Sequence, residues 1–306
     1  MRNFFLIGWT TFLFSCSSIN EKNTTIENVK EPVVTTAKEK HLVKYKLPEL
    51  PDELFFAGEK IPLEKEEVRN KLMRELIIHS NRHSKTLIML KEINYWEDYI
   101  KQILTKNNVS EDFFYLAIAE SELDNNIESP AKAMGMWQLM EATAKEYGLI
   151  INKEIDERRN PEKATKAACD YLKEAKSKFG SWSSAAASYN RGMNGLRNAL
   201  MEQKVESIYD LYLNRETSRY MYRILSLKLI LENPLKYGFD VKEIETNRPV
   251  SFEKVLLPKG EYNTVDLAKQ NNVTFAELKK YNPWLVDVKS YKLKNDFDSL
   301  FICLPK

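Results

Sequence analysis

Glu120 stands where an apolar residue is expected. Over residues 111–121, Phe113, Leu116 and Ala117 share one helical face, and Glu120 is the next position on it. A carboxyl group there is partly desolvated, which raises its pKa. Its place in the last turn sets it against the negative end of the helix dipole, which acts in the same direction. A carboxylic acid that keeps its proton near neutral pH is what general acid catalysis requires. The plainer alternative is a helix-end glutamate that reaches solvent or pairs with an arginine. Tyr189 lies on the inward stripe of Trp182, Ala185 and Ala186, so its hydroxyl must find a polar partner, and Glu120 is such a partner. His79 and His83 are four residues apart on a helical pattern and could share a metal, but no third ligand is near, and a solvated helical face accounts for them as well.

Other chemistries recede. Glycine numbers 9 in 306 residues, about 3% against a usual ~7%, so folds that cradle phosphates on glycine-rich turns start at a disadvantage. No dinucleotide fingerprint, P-loop, nucleophile elbow or zinc-protease motif is present. The net charge is +2 with the signs interspersed, so there is no basic face for nucleic acid. No metal-ligand spacing and no cofactor motif is found, and neither is expected.

These residues must be positioned by helices. Val68, Leu72 and Leu76, then Leu87 and Leu90, mark a long amphipathic stretch, and Ile93, Trp96, Ile100, Ile103 and Leu104 mark the next. Asn107-Asn108 breaks the pattern, and Ser110 is placed to cap the helix that carries Glu120. Asn160-Pro161 and Gly180 bracket a further helix, Ser181 caps another, and one over about 217–232 ends before Pro234. The last sixty residues read differently. Val255–Leu257 forms a strand, Thr264 caps a short helix, Thr274 with Glu277 makes a capping box, and Leu300–Leu304 is a closing strand. The fold class is mainly α, an all-α domain followed by a small, separate βααβ module.

The N-terminus sets the compartment. Met1-Arg2-Asn3 is followed by a largely apolar run of 11 residues, Phe4 to Phe14, too short for the ~20 of a spanning helix but suited to a secretory signal peptide over 1–15. Leu13-Phe14-Ser15-Cys16 resembles a bacterial lipobox, which implies lipidation of Cys16 and a polar tether over 16–47. Cys169 and Cys303 then remain, read as two buried free thiols, with a disulfide between them as the alternative.

Three further segments change the weight on Glu120. They are Glu120-Ser121 with Ser129, Ala133–Met140 and Thr143; Ala187-Ser188-Tyr189-Asn190-Arg191-Gly192; and Glu216-Thr217-Ser218-Arg219-Tyr220. In that order and spacing they resemble the signature of the soluble lytic transglycosylase family, most of all its membrane-bound murein transglycosylase D-like lipoproteins. The resemblance implies a lysozyme-like catalytic domain over 111–240 after an N-terminal helical region at 48–110. It implies Glu120 as the catalytic acid/base, with Ser129, Gln138, Met140, Tyr189, Asn190 and Tyr220 lining the sugar sites. Trp137 and Tyr220 offer flat faces for sugar rings, although core packing is the commoner fate of an aromatic. Lys132 stands where the family usually has glycine, Glu141 replaces a common proline, and Leu123 falls where an aromatic is frequent. Residues 250–306 resemble a LysM glycan-binding unit through Leu267-Ala268, Val273, Leu278 and Asn282-Pro283, with the usual Gly-Asp start replaced.

The implied activity is cleavage of the peptidoglycan β-1,4 bond between N-acetylmuramic acid and N-acetylglucosamine with formation of a 1,6-anhydro ring. The implied place is the bacterial cell envelope, lipid-anchored at the outer membrane and facing the periplasm. Two alternatives stay open. Glu122 or Asp124 could serve as the second carboxylate of a lysozyme-type hydrolase, or the chain could be a lipid-anchored, catalytically weak peptidoglycan-binding scaffold.

Overall fold

The computed structural model describes residues 47–241, 246–298 and 300–306. The expected signal peptide, the lipidated Cys16 and nearly all of the tether lie outside the described residues. All described residues belong to one unit, Lys46–Lys306. No helix among the described residues is long and apolar enough to cross a membrane.

The mainly helical class holds. Helix α1, Glu66–Asn81, buries Val68, Leu72 and Leu76, the stripe expected from their spacing. It does not run on to Leu90. Arg82 leaves helical dihedrals, and α2, His83–Lys106, starts after it. The break is stabilised locally, because the buried Thr86 hydroxyl donates to the freed His79 carbonyl at 2.9 Å. Helix α2 then continues unbroken past Ile93 to Lys106, so the two expected stretches divide at Arg82 and the second begins earlier.

Helix α3, Phe114–Ser121, follows a 3-10 turn in which Ser110 accepts from the Asp112 amide. Nearly all of it is buried. It packs on α8, Arg215–Glu232, and α8 packs in turn on α1. Two short helices and a long one complete this part: α4, Glu141–Glu146; α5, Pro161–Phe179; and α6, Trp182–Arg191. The ends of α5 are those legible in the sequence. Asn160 accepts from the Glu162 and Lys163 amides, Pro161 takes the first turn, and Gly180 closes the helix at φ +76°. Helix α7, Met193–Gln203, leads on to α8, which Asn214 caps.

A hairpin precedes all of these, in a region expected to be helical. Its strands, β1 (Phe55–Phe56) and β2 (Glu59–Lys60), pair antiparallel around Ala57-Gly58, both at positive φ. Two residues per strand are too few to leave a periodic signal. The hairpin fastens the domain from outside. The Glu59 carboxylate accepts from the Trp182 and Ser183 amides at the start of α6, at 2.6 and 2.9 Å, and from Lys176 at 2.8 Å. Phe56 meets Phe113 edge-on at 5.1 Å between ring centres, and Phe113 meets Trp182 at 5.3 Å.

The C-terminal part has two strand pairs. Strand β3 (Phe252–Leu256) pairs with β6 (Phe301–Pro305), and β4 (Gly260–Asn263) pairs with β5 (Lys292–Asn295), all antiparallel. Between them lie α9, Thr264–Gln270, and α10, Phe275–Tyr281. Strands β4 and β5 are additions to the expected βααβ order. The Thr274–Glu277 capping box is formed, but α9 is capped by Asn263 and not by Thr264. Asn282 is fully buried, donating to the Leu278 and Cys303 carbonyls and accepting from the Cys303 amide. Both described cysteines are buried free thiols.

This part is joined to the helices. Ile155, from the loop before α5, is fully buried in a cluster with Leu278, Trp284 and Leu285. The backbone follows it: the Asp156 amide donates to the Trp284 carbonyl at 2.9 Å, and the Val286 amide to the Glu154 carbonyl at 2.8 Å.

Candidate active site

Glu120 is the penultimate residue of α3. The helix stops because Glu122 and Leu123 both take left-handed dihedrals, at φ +55° and +69°. The Glu120 carboxylate accepts a hydrogen bond from the hydroxyl of Tyr220 on α8. Burial pushes the Glu120 carboxyl above its ordinary range, and the Tyr220 bond and the nearby Arg223 oppose the rise without cancelling it. The Tyr220 and Tyr189 hydroxyls are themselves held far above their usual range by burial, so both remain donors.

Tyr189 has a different partner from the one expected. Its hydroxyl donates to the Trp137 carbonyl at 2.9 Å, and Tyr220 takes the place at the carboxylate. Both tyrosines feel the Glu120 charge, so they stand beside it. Trp137 is corrected too. It is fully buried, and its indole N–H donates to Thr165 at 2.8 Å, so it is a core residue and offers no face to a sugar.

The loop after α3 is fixed against the rest of the domain. The Ser121 hydroxyl donates to the Met136 carbonyl at 2.8 Å, one residue before the carbonyl that Tyr189 holds. Gly135 sits at φ +77°, where a Cβ would lie 2.2 Å from the Arg158 carbonyl oxygen. Arg158 clamps the loop from below, pairing with Asp156 and donating to the Lys132 and Leu139 carbonyls. Lys132 takes φ +68°, so lysine occupies a left-handed position that suits glycine. Its ammonium pairs with Glu128.

Within this loop the Ser129 hydroxyl accepts from the Ala133 amide at 3.0 Å. The Gln138 side-chain amide donates to the Gly135 and Ile127 carbonyls, and Met140 is exposed. These three do not line the two clefts that meet at Glu120. The clefts measure about 640 and 630 Å³. The first runs between α2 and the Ser121–Ile127 segment and carries Glu122 and Asp124. The second runs toward α1 and is lined by Asn190, Tyr220 and the ion pair Glu75–Arg219. Glu122 is paired with Lys85 at 2.9 Å, and Asp124 accepts from the Asn126 amide at 2.7 Å.

His79 and His83 fall on different helices. His79 is buried, its Nδ1 lies 2.7 Å from Ser226 Oγ, and burial with Arg223, Arg82 and Arg219 lowers its pKa to about 4. His83 stacks on Phe239. No group of three metal-ligating side chains occurs among the described residues. Glu75, Arg219 and Arg223 carry no sequence signal as cleft residues, because their spacing is that of an ordinary charged helix face.

Comparison with known proteins points to the same loop and helices. Residues 98–211 match the family described as Transglycosylase SLT domain, which takes in every expected sugar-site residue except Tyr220. Membrane-bound lytic murein transglycosylase D of Escherichia coli K12 is 27% identical over 235 residues, covering 74% of this chain and 50% of that protein, and its counterpart from strain O6:H1 gives the same values. The chain thus spans about half the length of the curated relatives it matches. Two solved structures are also similar. An inactive mutant of lytic transglycosylase Slt from Pseudomonas aeruginosa has a TM-score of 0.36 at 24% identity, covering 46% of this chain and 24% of that one. The soluble lytic transglycosylase of Escherichia coli has 0.41 at 18%, covering 60% and 34%. Residues 98–211 thus match the transglycosylase SLT domain, in a chain similar along most of its length to membrane-bound lytic murein transglycosylase D.

Proposed function

We propose that the chain is a peptidoglycan lytic transglycosylase with Glu120 as its sole acid/base. The observation that carries this reading is a carboxyl group held above its ordinary range at the junction of two clefts, with a tyrosine donor fixed on it. Protonated Glu120 delivers its proton to the glycosidic oxygen as the bond to C1 of N-acetylmuramic acid breaks. The sugar's own N-acetyl oxygen stabilises the developing cation, as in substrate-assisted glycosidases. The Glu120 carboxylate then takes the proton of the C6 hydroxyl while O6 bonds to C1. No water is consumed, and Glu120 ends protonated. Tyr220 orients the carboxyl group, and Tyr189 holds the loop beside it.

Glu122 and Asp124 fit a second-carboxylate role less well, since one is paired with Lys85 and the other with its own loop. Mass spectrometry of products from purified glycan strands is the test. Products lighter than hydrolysis products by one water support the reading, and reducing-end muramic acid as the main product would replace it with a lysozyme. Glu120→Gln keeps size and shape but delivers no proton, so turnover should fall at least ~10²-fold with folding intact. A folded variant with near-wild-type turnover would leave the scaffold reading as the better one.

We read the chain further as an envelope lipoprotein anchored at Cys16, with residues 250–306 as a LysM-like module. Cys16→Ala should release the protein from membranes after a salt wash, since two acyl chains give stable anchoring. Persistent sedimentation with membranes would refute the anchor.

A further inference from the structure

The first cleft at Glu120 is not built by the catalytic helices alone. Its far end is formed by Lys279, Lys280 and Pro283, which come from α10 and the turn after it. These residues are fixed in place. Two backbone bonds join Trp284 and Val286 to the 154–156 loop, and Ile155 is buried in the same cluster as Leu278 of α10.

That end of the cleft gathers cations. Arg223 of α8 lines the same cleft, near Glu120. Among the described residues, none of Lys279, Lys280 and Arg223 is held in an ion pair. Lys279 is half-buried, and its pKa is lowered to about 8, by burial first and then by the like charge of Arg159. Asp287, the carboxylate that pulls the other way, is bound into its own turn by Ser290 and the Lys289 amide. Arg159 donates to Asn126 at 3.3 Å, while its Nε is buried and has no partner. Two neighbouring cations without a counter-ion favour an anion that arrives with a ligand. Of the cleft's own carboxylates, Glu120 holds Tyr220 and lies near Arg223, Glu122 is on Lys85, Asp124 is on its own loop, and Glu92 lies on the α2 wall.

We propose that Lys279 and Lys280 of the C-terminal module form a carboxylate-binding end of the catalytic cleft, which engages the acidic peptide carried by the glycan strand. This rests on the transglycosylase reading for the nature of the strand. The module is then a specificity wall of the cleft, whether or not it binds glycan elsewhere. A carboxylate is favoured because the cations are separate lysine ammoniums at the rim of a sugar-sized groove, next to where a peptide-bearing sugar would lie.

The test is a binding measurement that does not depend on which product forms. The Glu120→Gln protein is titrated with peptide-bearing glycan strands, and with the same strands after their peptide carboxylates are converted to methyl amides. It is compared with the same protein also carrying Lys279→Gln and Lys280→Gln. The carboxylate-bearing strands should bind about 5–10-fold more weakly to the lysine variant, a modest factor for partly exposed charges, and the amidated strands should bind both proteins alike. In the otherwise wild-type enzyme the same pair of substitutions should raise KM on carboxylate-bearing strands and leave kcat unchanged. Lys279→Arg should keep the preference, and Lys269→Gln, on exposed α9, should not alter it.

Equal affinity of both strand types for the parent protein would overturn the proposal. So would an equal loss on both strand types in the lysine variant, which would mark the lysines as packing groups. Failure of the transglycosylase reading shows separately, as hydrolysis products or full turnover by Glu120→Gln.

Discussion

Gly135→Ala should damage this domain out of proportion to one methyl group. Gly135 sits at φ +77°, a region that costs an L-residue about 1–2 kcal/mol. The new Cβ would also lie 2.2 Å from the Arg158 carbonyl oxygen and 3.0 Å from its carbon, both backbone atoms with no rotamer to escape into. Relieving such an overlap by moving backbone costs typically ~1–3 kcal/mol. The total of about 2–5 kcal/mol corresponds to a melting-temperature drop of about 5–15 °C for a unit of this size. Gly148→Ala is the matched control. It has φ +82° and nothing within 4 Å of the new Cβ, so it carries only the backbone cost, about 2–6 °C. Thermal unfolding of both variants by circular dichroism isolates the contact with Arg158. Melting temperatures equal within about 2 °C would refute the packing argument. Cleavage should fall with stability in Gly135→Ala, because the Ser121 and Tyr189 bonds end on the neighbouring carbonyls.

Tyr220→Phe removes the donor that holds the Glu120 pKa down, so that pKa should rise further and the alkaline limb of the pH–rate profile should move to higher pH; an unmoved or lowered limb would contradict the bond. His79 has a folded pKa of about 4 against 6.5 unfolded, so its contribution is complete above pH 6.5 and declines as pH falls toward 4. Denaturant titration between pH 7 and 5 should show that decline, on the order of 1–2 kcal/mol, and His79→Gln should flatten it; a slope identical in both proteins would count against it. Glu59→Gln weakens the cap of α6 and should cost about 1–2 kcal/mol at neutral pH. The Glu59 pKa is lowered in the fold: burial raises it, but the bonds from Lys176 and the Trp182 and Ser183 amides outweigh that. Its advantage over glutamine is therefore present above its unfolded pKa and should vanish as pH falls through the lowered value. A gap that persists in acid would show the charge to be irrelevant.

What the sequence reveals here follows the range of the interaction. The caps of α5, α6 and α10, and of the 3-10 turn that leads into α3, are read correctly because donor and acceptor lie within three residues. Glu120 is legible because a carboxylate on an apolar stripe is itself the signal. The partner of that carboxylate is not legible. Tyr189 and Tyr220 both point inward, and periodicity gives the direction of a side chain but not the atom at its end, so the bond falls to Tyr220 across 100 residues. Trp137 was misplaced for the related reason that burial of one aromatic depends on the whole loop closing over it. The break at Arg82 is invisible to period analysis, since the apolar spacing continues across it. The seam at Ile155 has no local signature, because the short run Asn152-Lys153-Glu154-Ile155-Asp156 does not reveal partners that lie far along the chain.

That seam ties the order of synthesis to the completeness of the cleft. Ile155 belongs to the catalytic half of the chain but shares its apolar shelter with residues that leave the ribosome well after it. Until Trp284 and Val286 arrive, the Asp156 amide and the Glu154 carbonyl lack the backbone groups they join in the finished fold. Domains fold as units in the order they emerge, yet here the earlier unit borrows its last wall from the later one. A nascent chain, or one clipped before α10, would thus carry Glu120 in a groove that lacks Lys279, Lys280 and Pro283, and only a chain that runs on past Val286 holds that wall in place.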